Sequence, residues 1–548
     1  MSRSRRRPAQ DTSRLAQPTS SRDWLIDGLI ALLVAEVVVV AFFPALRAGF
    51  VTWDDDTYLL ANPNYRGLGL AQLRWMFTSM GGHYNPLTWL SLGLDYVLWG
   101  MRPAGYHATN VLLHAVAAAG AYFVARRVLT AAVGSEPSAA LRMSAVVAAL
   151  VFAVHPLRVE SVAWISERRD VLCGAFFVLT ILAYLRALDP DARRSRTWYW
   201  AAVALAALAL SSKAMAVTLP AILLLLDVYP LRRLGPGRWT RRDVWLEKVP
   251  FAALSAAATV LAVVAQRSIG ALSDLSALGI LDRLGLTCYA LMFYACKTLL
   301  PIGLAPLYEA PYDWATLRPW FAGSIVAVVA SAAVLVLLRR RWPAAPAAGA
   351  AFVVLLLPVL GLMHFGLHIV ADRNTYFAGL VPALLAGGVT LRLLIAPSTA
   401  TARAVTVAAV GVVVLLGGLT WRQSGFWHDS RALWTHATEV SPSSIGHTKI
   451  GAILAQEGRT EHAIFHFREA VRLHPNNAYA HNVWGVALGD AWQFDESIAH
   501  FEAALRIRPD YLDARRNLRL ARERTTNPVA YLEAQRARRE SLARQNLP

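Results

Sequence analysis

The chain has 548 residues, of which 56% are hydrophobic and only 16% charged, with three cysteines and a formal net charge of +18. That balance excludes an ordinary soluble enzyme, and a mean hydropathy of +0.40 with repeated apolar runs of about 20 residues points to a polytopic membrane protein. Nucleic-acid binding is set aside because the basic excess sits in short loops between apolar runs, where arginine reports orientation.

In chain order, residues 1–23 form a basic polar tail. Trp24 to Phe43 is too long for a signal-peptide core and lacks a small-residue cleavage site, so it is expected to be an uncleaved anchor. With the tail in the cytoplasm, the loop of about 44–105 faces the periplasm, or the lumen in a eukaryote. The next loops expected inside carry Arg126, Arg127 and Arg142, then "DPDARRSR", then "PLRRLGPGRWTRRD", all basic as the positive-inside rule requires. Counting back from the basic "LLRRRW" at 337–342 leaves one apolar run that does not span. Leu284 to Gly303, which carries Lys297, is the choice as a re-entrant or interfacial segment. About eleven spans over 24–421 result, with the carboxyl-terminal region outside. Cys173, Cys288 and Cys296 lie in apolar runs, show no metal-ligand spacing and read as packing residues.

After Trp421 the composition becomes soluble and helical. Gly451, Ala463, Phe467, Ala470 and Pro475 recur 34 residues later as Gly485, Ser497, Phe501, Ala504 and Pro509, the period of a tetratricopeptide (TPR) repeat. The expected domain covers 422–524, with two full repeats at about 444–510 and partial repeats on either side; 525–548 is a charged helix or tail. The fold class is therefore all-α, a polytopic membrane bundle followed by a soluble α-solenoid.

Four polar clusters fall on the outer side: "WDDD" at 53–56, "HPLRVESVAWISERRD" at 155–170, "SSKAM" at 211–215 and "HIVADRNTYF" at 368–377. Asp54, Asp55 and Asp56 could simply cap a helix start. Their company suggests more, because Arg168, Arg169 and Arg373 offer planar forks and Lys213 a point charge suited to phosphate, against a bland alternative of headgroup snorkelling. An acid with phosphate-binding cations at a membrane surface fits transfer from a lipid-linked phosphosugar. A prenyl phosphate leaves as a stabilised anion, so one base for the acceptor hydroxyl and cations for the phosphate could suffice, and Asp54 is the natural base. Adjacent carboxylates could instead hold a divalent cation, in which case Asp54 and Asp56 are the pair, since alternate side chains on an extended backbone share a side. Glu36 inside the first span could be functional or pair with another helix. His83, His107 and His114 show no ligand spacing. Tyr84, Asn85, His155 and Glu160 are candidates for acceptor contacts, while Trp53, Trp75, Tyr84, Trp89 and Trp99 read more as an interfacial belt than a sugar platform.

The stretches "FVTWDDDTYLLANPN", "HYNPLTWLSLGLDYVLWGMRPAGYHATNVLLHA", "HPLRVESVAWISERRDVL", "SSKAMAVTLPAILLLLDVYPL", "ADRNTYF" and "WTHATEVSPSSIGHTKIGAILAQEGR" together resemble the transmembrane and TPR-containing (TMTC) O-mannosyltransferase-like family of the GT-C glycosyltransferase superfamily. The likeness covers roughly 24–521. It implies a GT-C-type bundle in which the first acid of a pair in the first external loop is the base or a metal ligand. Here that is Asp54, with Asp55 second. It also favours Arg168, Arg169, Asp170, Lys213, Asp372 and Arg373 as donor phosphate or sugar neighbours. Ala214 after Lys213, where an acid is expected, and Asn374, where an aromatic is usual, are departures. The resemblance implies a hexosyltransferase, mannose being the expected sugar, with a polyprenyl-phosphate-linked donor, a protein hydroxyl or other periplasmic acceptor, and a bacterial inner-membrane location. A divalent metal stays an open alternative, and the TPR groove would hold the acceptor or a partner. A non-enzymatic TPR scaffold and a lipid-linked saccharide transporter are the competing readings.

Overall fold

The computed structural model describes residues 21–134, 138–189, 192–268, 279–361, 368–395 and 398–526. Most of the basic tail expected at 1–23 and of the stretch expected at 525–548 lies outside these. The described chain is all-α, with strand confined to Tyr308–Glu309 and His368–Val370. It separates into two compact units, the first comprising residues up to 304 and 318–430, the second 305–317 and the residues from 431 onward.

The first unit begins with α1 (Ser21–Ala41), α2 (Leu70–Thr78), α3 (Pro86–Trp99), α4 (Pro103–Val133), α5 (Ala139–Ala153), α6 (Val159–Ala163) and α7 (Arg168–Ala187). It continues through α8 (Ala192–Ser212), α9 (Leu219–Val228), α10 (Arg242–Leu246), α11 (Val249–Ser268) and α12 (Ile280–Leu299). After the break come α13 (Arg318–Leu338), α14 (Ala344–Leu356), α15 (Thr375–Ala378), α16 (Leu380–Leu394) and α17 (Thr399–Gly425). Among the described residues, six helical stretches are long and apolar enough to cross a membrane, or eight if each bent pair is one span. Ala214–Val228 and Ala344–Val359 are shorter apolar pieces. The segment expected to be re-entrant lies mostly in α12, which carries Asp282, Arg283 and Lys297 and is absent from that set.

Two bends shape one end of this unit. The chain turns by 53° between α5 and the Pro156–Ala163 segment, where Pro156 breaks the helix. It turns by 51° again at Gly379. The buried guanidinium of Arg158 joins the two, donating to the Thr375 carbonyl at 2.7 Å and its hydroxyl at 3.1 Å. A Cβ at position 379 would come within 2.5 Å of that guanidinium, so glycine is needed for the close approach.

At the opposite end, Asp27 of α1 is buried and accepts from Tyr122 at 2.7 Å and from Arg142 Nε at 3.1 Å, with Arg126 also paired to it. Arg126 and Arg142 therefore do more than mark orientation, since they neutralise an acid within the bundle. Glu36, the acid singled out from the sequence, is exposed.

The second unit contains α18 (Ser430–Val440), α19 (Ser444–Gln456), α20 (Thr460–Leu473), α21 (Ala478–Asp490), α22 (Phe494–Ile507) and α23 (Leu512–Thr526). Helices α19/α20 and α21/α22 repeat the same internal geometry. A Cβ at Gly451 would meet the Phe467 ring at 2.7 Å, and one at Gly485 would meet the Phe501 ring at 2.7 Å. The missing side chains let each helix pair close on its phenylalanine.

Candidate active site

The loop after α1 is held by its middle acid. Asp55 is 1% exposed and accepts from the Val51 amide at 3.0 Å, the Ser166 amide at 3.1 Å and the Ser166 hydroxyl at 2.5 Å. It ties the first loop to the turn before α7. Burial pushes its carboxyl up to about 6 from 3.8 in spite of these bonds. A raised folded pKa means stability that is full below about pH 4 and lost as pH rises through about 6, worth about 3 kcal/mol. The stability difference between the wild-type chain and Asp55→Asn should therefore shift by about that amount between pH 4 and 7 when melting is followed in detergent. A difference independent of pH would contradict this account.

The outer acids behave differently. Asp56, the first residue of the turn Asp56–Leu60, accepts from the Thr57 amide at 2.9 Å. Asp54 is half-buried and, among the described residues, its carboxylate accepts no hydrogen bond; its carbonyl takes the Thr57 and Tyr58 amides. Burial raises the Asp54 carboxyl, opposed by Arg169 and Arg373 and reinforced by Glu167 and Asp56.

The arginines that face Asp54 are organised around Glu167, which is fully buried. Glu167 receives Arg169 through two bonds, Nε at 3.0 Å and Nη2 at 2.6 Å, a bidentate pair. Lys213 Nζ reaches Glu167 at 3.1 Å and Asp170 at 2.7 Å, and Ser161 donates to the other oxygen of Asp170 at 3.1 Å. Arg373 Nε lies 3.3 Å from Glu167, its Nη1 pairs with Glu160, and its amide donates to Glu160 at 2.7 Å. The guanidinium also sits over the Trp164 ring, 5.4 Å from the centroid. Acids at and just after the start of α7 favour that helix end electrostatically, which helps place Glu167 and Asp170 where the cations converge.

Of the residues singled out from the sequence, Asp54, Glu160, Arg169, Asp170, Lys213 and Arg373 come together. Asp372, next to Arg373, is buried. Arg168 does not join them. Its guanidinium is enclosed on the other side of the α7 start, with Asp95 at 2.6 Å, Ser91 Oγ at 2.8 Å, the Tyr106 carbonyl at 2.8 Å and the side-chain oxygen of Asn110. Neighbouring residues on a helix point about 100° apart, so two adjacent arginines cannot serve one site equally. His155 spends both ring nitrogens on the backbone of Leu157 and Thr298, at 3.3 and 3.0 Å. Tyr84 donates to the Phe77 carbonyl at 3.3 Å, and Asn85 sits at the amino-terminal cap of α3.

Two residues of the cluster were not chosen from the sequence. Glu167, between a serine and two arginines, carried only the signal of an acid adjoining the cations. His83 had no sequence signal, yet burial, reinforced by Arg169, Lys213 and Arg373, pushes its imidazole down to about 3. Gln266 of α11 holds its loop, donating to the Gly82 carbonyl at 2.8 Å and lying 3.2 Å from His83 Nδ1. Among the described residues no three His, Cys, Asp or Glu side chains converge to hold a metal ion, so the Asp54 and Asp56 pair lacks a third ligand of these types. No step below passes through a metal.

No protein-family profile matches the chain. Human protein O-mannosyl-transferase TMTC1 is 24% identical over 512 residues, covering 84% of this chain and 57% of the human protein. The chain is similar to the TMTC proteins. Drosophila melanogaster Tmtc1 is 37% identical over 156 residues, 27% of this chain and 17% of the fly protein. Mouse TMTC3 is 30% identical over 206 residues, 36% of this chain and 21% of its own. The chain thus spans little more than half the length of the human TMTC relative and smaller shares of the other two. Among solved structures, ArnT from Cupriavidus metallidurans bound to undecaprenyl phosphate aligns over 80% of both chains with a TM-score of 0.38 and 14% identity. The TMTC resemblance drawn from the motifs is the one that the sequence comparisons return.

Proposed function

We propose that the protein is a GT-C-type glycosyltransferase that moves a hexose, mannose, from a polyprenyl-phosphate-linked donor to a hydroxyl of a protein or another acceptor on the outer face of a bacterial inner membrane. The observation that carries this reading is the Asp54 carboxylate, half-buried and accepting no hydrogen bond among the described residues, set opposite cations whose positions are fixed by buried acids. Asp54 takes the proton of the acceptor hydroxyl as its oxygen attacks the sugar's anomeric carbon. The bond from that carbon to the phosphate oxygen breaks, and the lipid phosphate leaves as an anion near Arg169, Lys213 and Arg373.

Glu160, Glu167 and Asp170 balance the three cations in charge. Recognition of phosphate therefore rests on positioned N–H groups more than on net charge. A guanidinium has five N–H donors and an ammonium three, so each cation retains donors beyond those its carboxylates take. The helical repeats of the second unit, read as a TPR groove, would present the acceptor or a partner. The TMTC similarity supports the sugar and the acceptor class.

Binding of a non-transferable polyprenyl-phosphate sugar to the purified protein tests this. Lys213→Met should weaken it by about tenfold, the worth of a charge-assisted contact, and should also lower the melting temperature, because it takes the cation from the buried Glu167 and Asp170 carboxylates. Arg168→Lys should leave donor affinity alone. Equal donor affinity in the wild type and in Lys213→Met would remove these cations from the reading, and no donor binding by the wild type would remove the reading itself. A scaffold without enzymatic work has no use for a half-buried carboxylate facing three cations held by buried acids, which disfavours that alternative.

A further inference from the structure

A cavity of about 570 Å³ lies in the first unit between α4, α7, α9, α14 and α16, within the range of about 300–1,000 Å³ typical of small-molecule sites. Its wall is almost entirely alanine, valine, leucine, isoleucine and phenylalanine, including Ala125, Phe177, Ile181, Ala348 and Leu384. None of Asp54, Glu160, Glu167, Arg169, Lys213 and Arg373 lines it.

Its mouth has a different character. Val133 at the end of α4, Tyr229 and Pro230 after α9, Trp342 before α14, and Arg341 and Arg392 share that end. Arg169 stands at the start of α7 and Arg373 just before α15, whereas Arg392 is in the last turn of α16, so the mouth is on the opposite membrane face from the acid and cation cluster. Both mouth arginines are exposed, and among the described residues neither guanidinium has a hydrogen-bond or ion-pair partner. The lining of α4 runs from Ala121 to Val133, which at ~1.5 Å per residue is about 18 Å of depth. One leaflet of hydrocarbon is about 15 Å thick.

We propose that this cavity is a binding site for an anionic phospholipid of the leaflet opposite the acid and cation cluster, one acyl chain filling the apolar shaft and the phosphate held by Arg341 and Arg392. The depth matches a single leaflet's chain. The two exposed arginines supply the charge complementarity that a neutral lipid would not need, and tryptophan and tyrosine among the same lining residues suit the headgroup interface. This inference does not depend on the transferase reading, because the cavity shares no residue with that cluster.

Full-length protein, delipidated in a neutral detergent, is titrated with phosphatidylglycerol, phosphatidylcholine or a polyprenyl monophosphate, and bound lipid is counted by native mass spectrometry. Phosphatidylglycerol should be retained at one per chain with about tenfold preference over phosphatidylcholine. Arg341→Ala with Arg392→Ala should abolish that preference, while the double lysine variant keeps part of it. Ala348→Phe, which fills the shaft, should reduce retention of phosphatidylglycerol even with both arginines present. Since Ala348→Phe could disturb packing, the arginine pair, which is exposed, provides the decisive variants. Equal binding of both phospholipids, or an unchanged preference in the double alanine variant, overturns the proposal. Displacement of phosphatidylglycerol by polyprenyl monophosphate at the same arginines also overturns it, because the occupant would then be a donor-type lipid.

Discussion

Asp54→Asn is expected to lower sugar transfer by a factor of about 10²–10⁴, the usual contribution of a positioned general base, while melting and donor binding stay at wild-type values. Asparagine keeps the shape of the side chain, and among the described residues no hydrogen bond to the carboxylate is lost. Only the ability to take a proton is removed. Burial raises the Asp54 carboxyl, so in the wild-type chain the transfer rate should fall as pH drops through that raised value, because the protonated acid cannot act as a base. The acid limb should vanish from whatever residual activity the variant retains. Wild-type transfer by Asp54→Asn would exclude it as the base and leave the cluster without one. Asp55→Asn offers a contrast, since its defect should appear in stability first: both carboxylate oxygens already hold Val51 and Ser166.

Arg168→Met should destabilise the protein by about 3–5 kcal/mol, the cost of leaving a buried charge without its partner. Asp95 is 2% exposed and pairs with Arg168 at 2.6 Å; Thr109 donates to its other oxygen at 2.8 Å. Adding Asp95→Leu to Arg168→Met should recover much of the loss, because the orphaned carboxylate is then gone. Thermal or denaturant melting of the purified chain and its two variants measures this. If Arg168 were instead a ligand of the donor phosphate, Arg168→Met would melt like the wild type and lose donor affinity. The two outcomes separate a structural arginine from a binding one at adjacent positions in the sequence.

That contrast marks where sequence reading stops. In "SERRD" each arginine adjoins the other and one acid and shares the same motif likeness, so nothing local distinguishes Arg168 from Arg169. Their roles part because the helix turns between them, and the surface each meets comes from elsewhere: Ser91, Asp95, Tyr106 and Asn110 for one, Glu167 and the cluster around it for the other. The same holds for the three aspartates. Asp55 is an anchor because Ser166 lies 111 positions away in sequence yet within hydrogen-bonding distance in space. His83 enters through a loop held by Gln266, 183 residues on, a distance over which no spacing rule operates.

What the sequence determined by itself was whatever depends on composition or on short period. Apolar run length follows from bilayer thickness, and it made the chain a helical membrane protein. The 34-residue recurrence of Gly451 and Phe467 in Gly485 and Phe501 follows from pairing of neighbouring helices, and the same glycine and phenylalanine contacts recur in the structure. The convergence of four distant polar segments was also legible, because charged residues are too costly beside lipid to be scattered without partners. Only the tertiary structure decided which members of those segments meet. Side-chain direction is set by helix phase and by long-range contacts, and those contacts left the Asp54 carboxylate with no hydrogen bond among the described residues, locked Asp55 into the fold, and placed Glu167 at the centre of the cations.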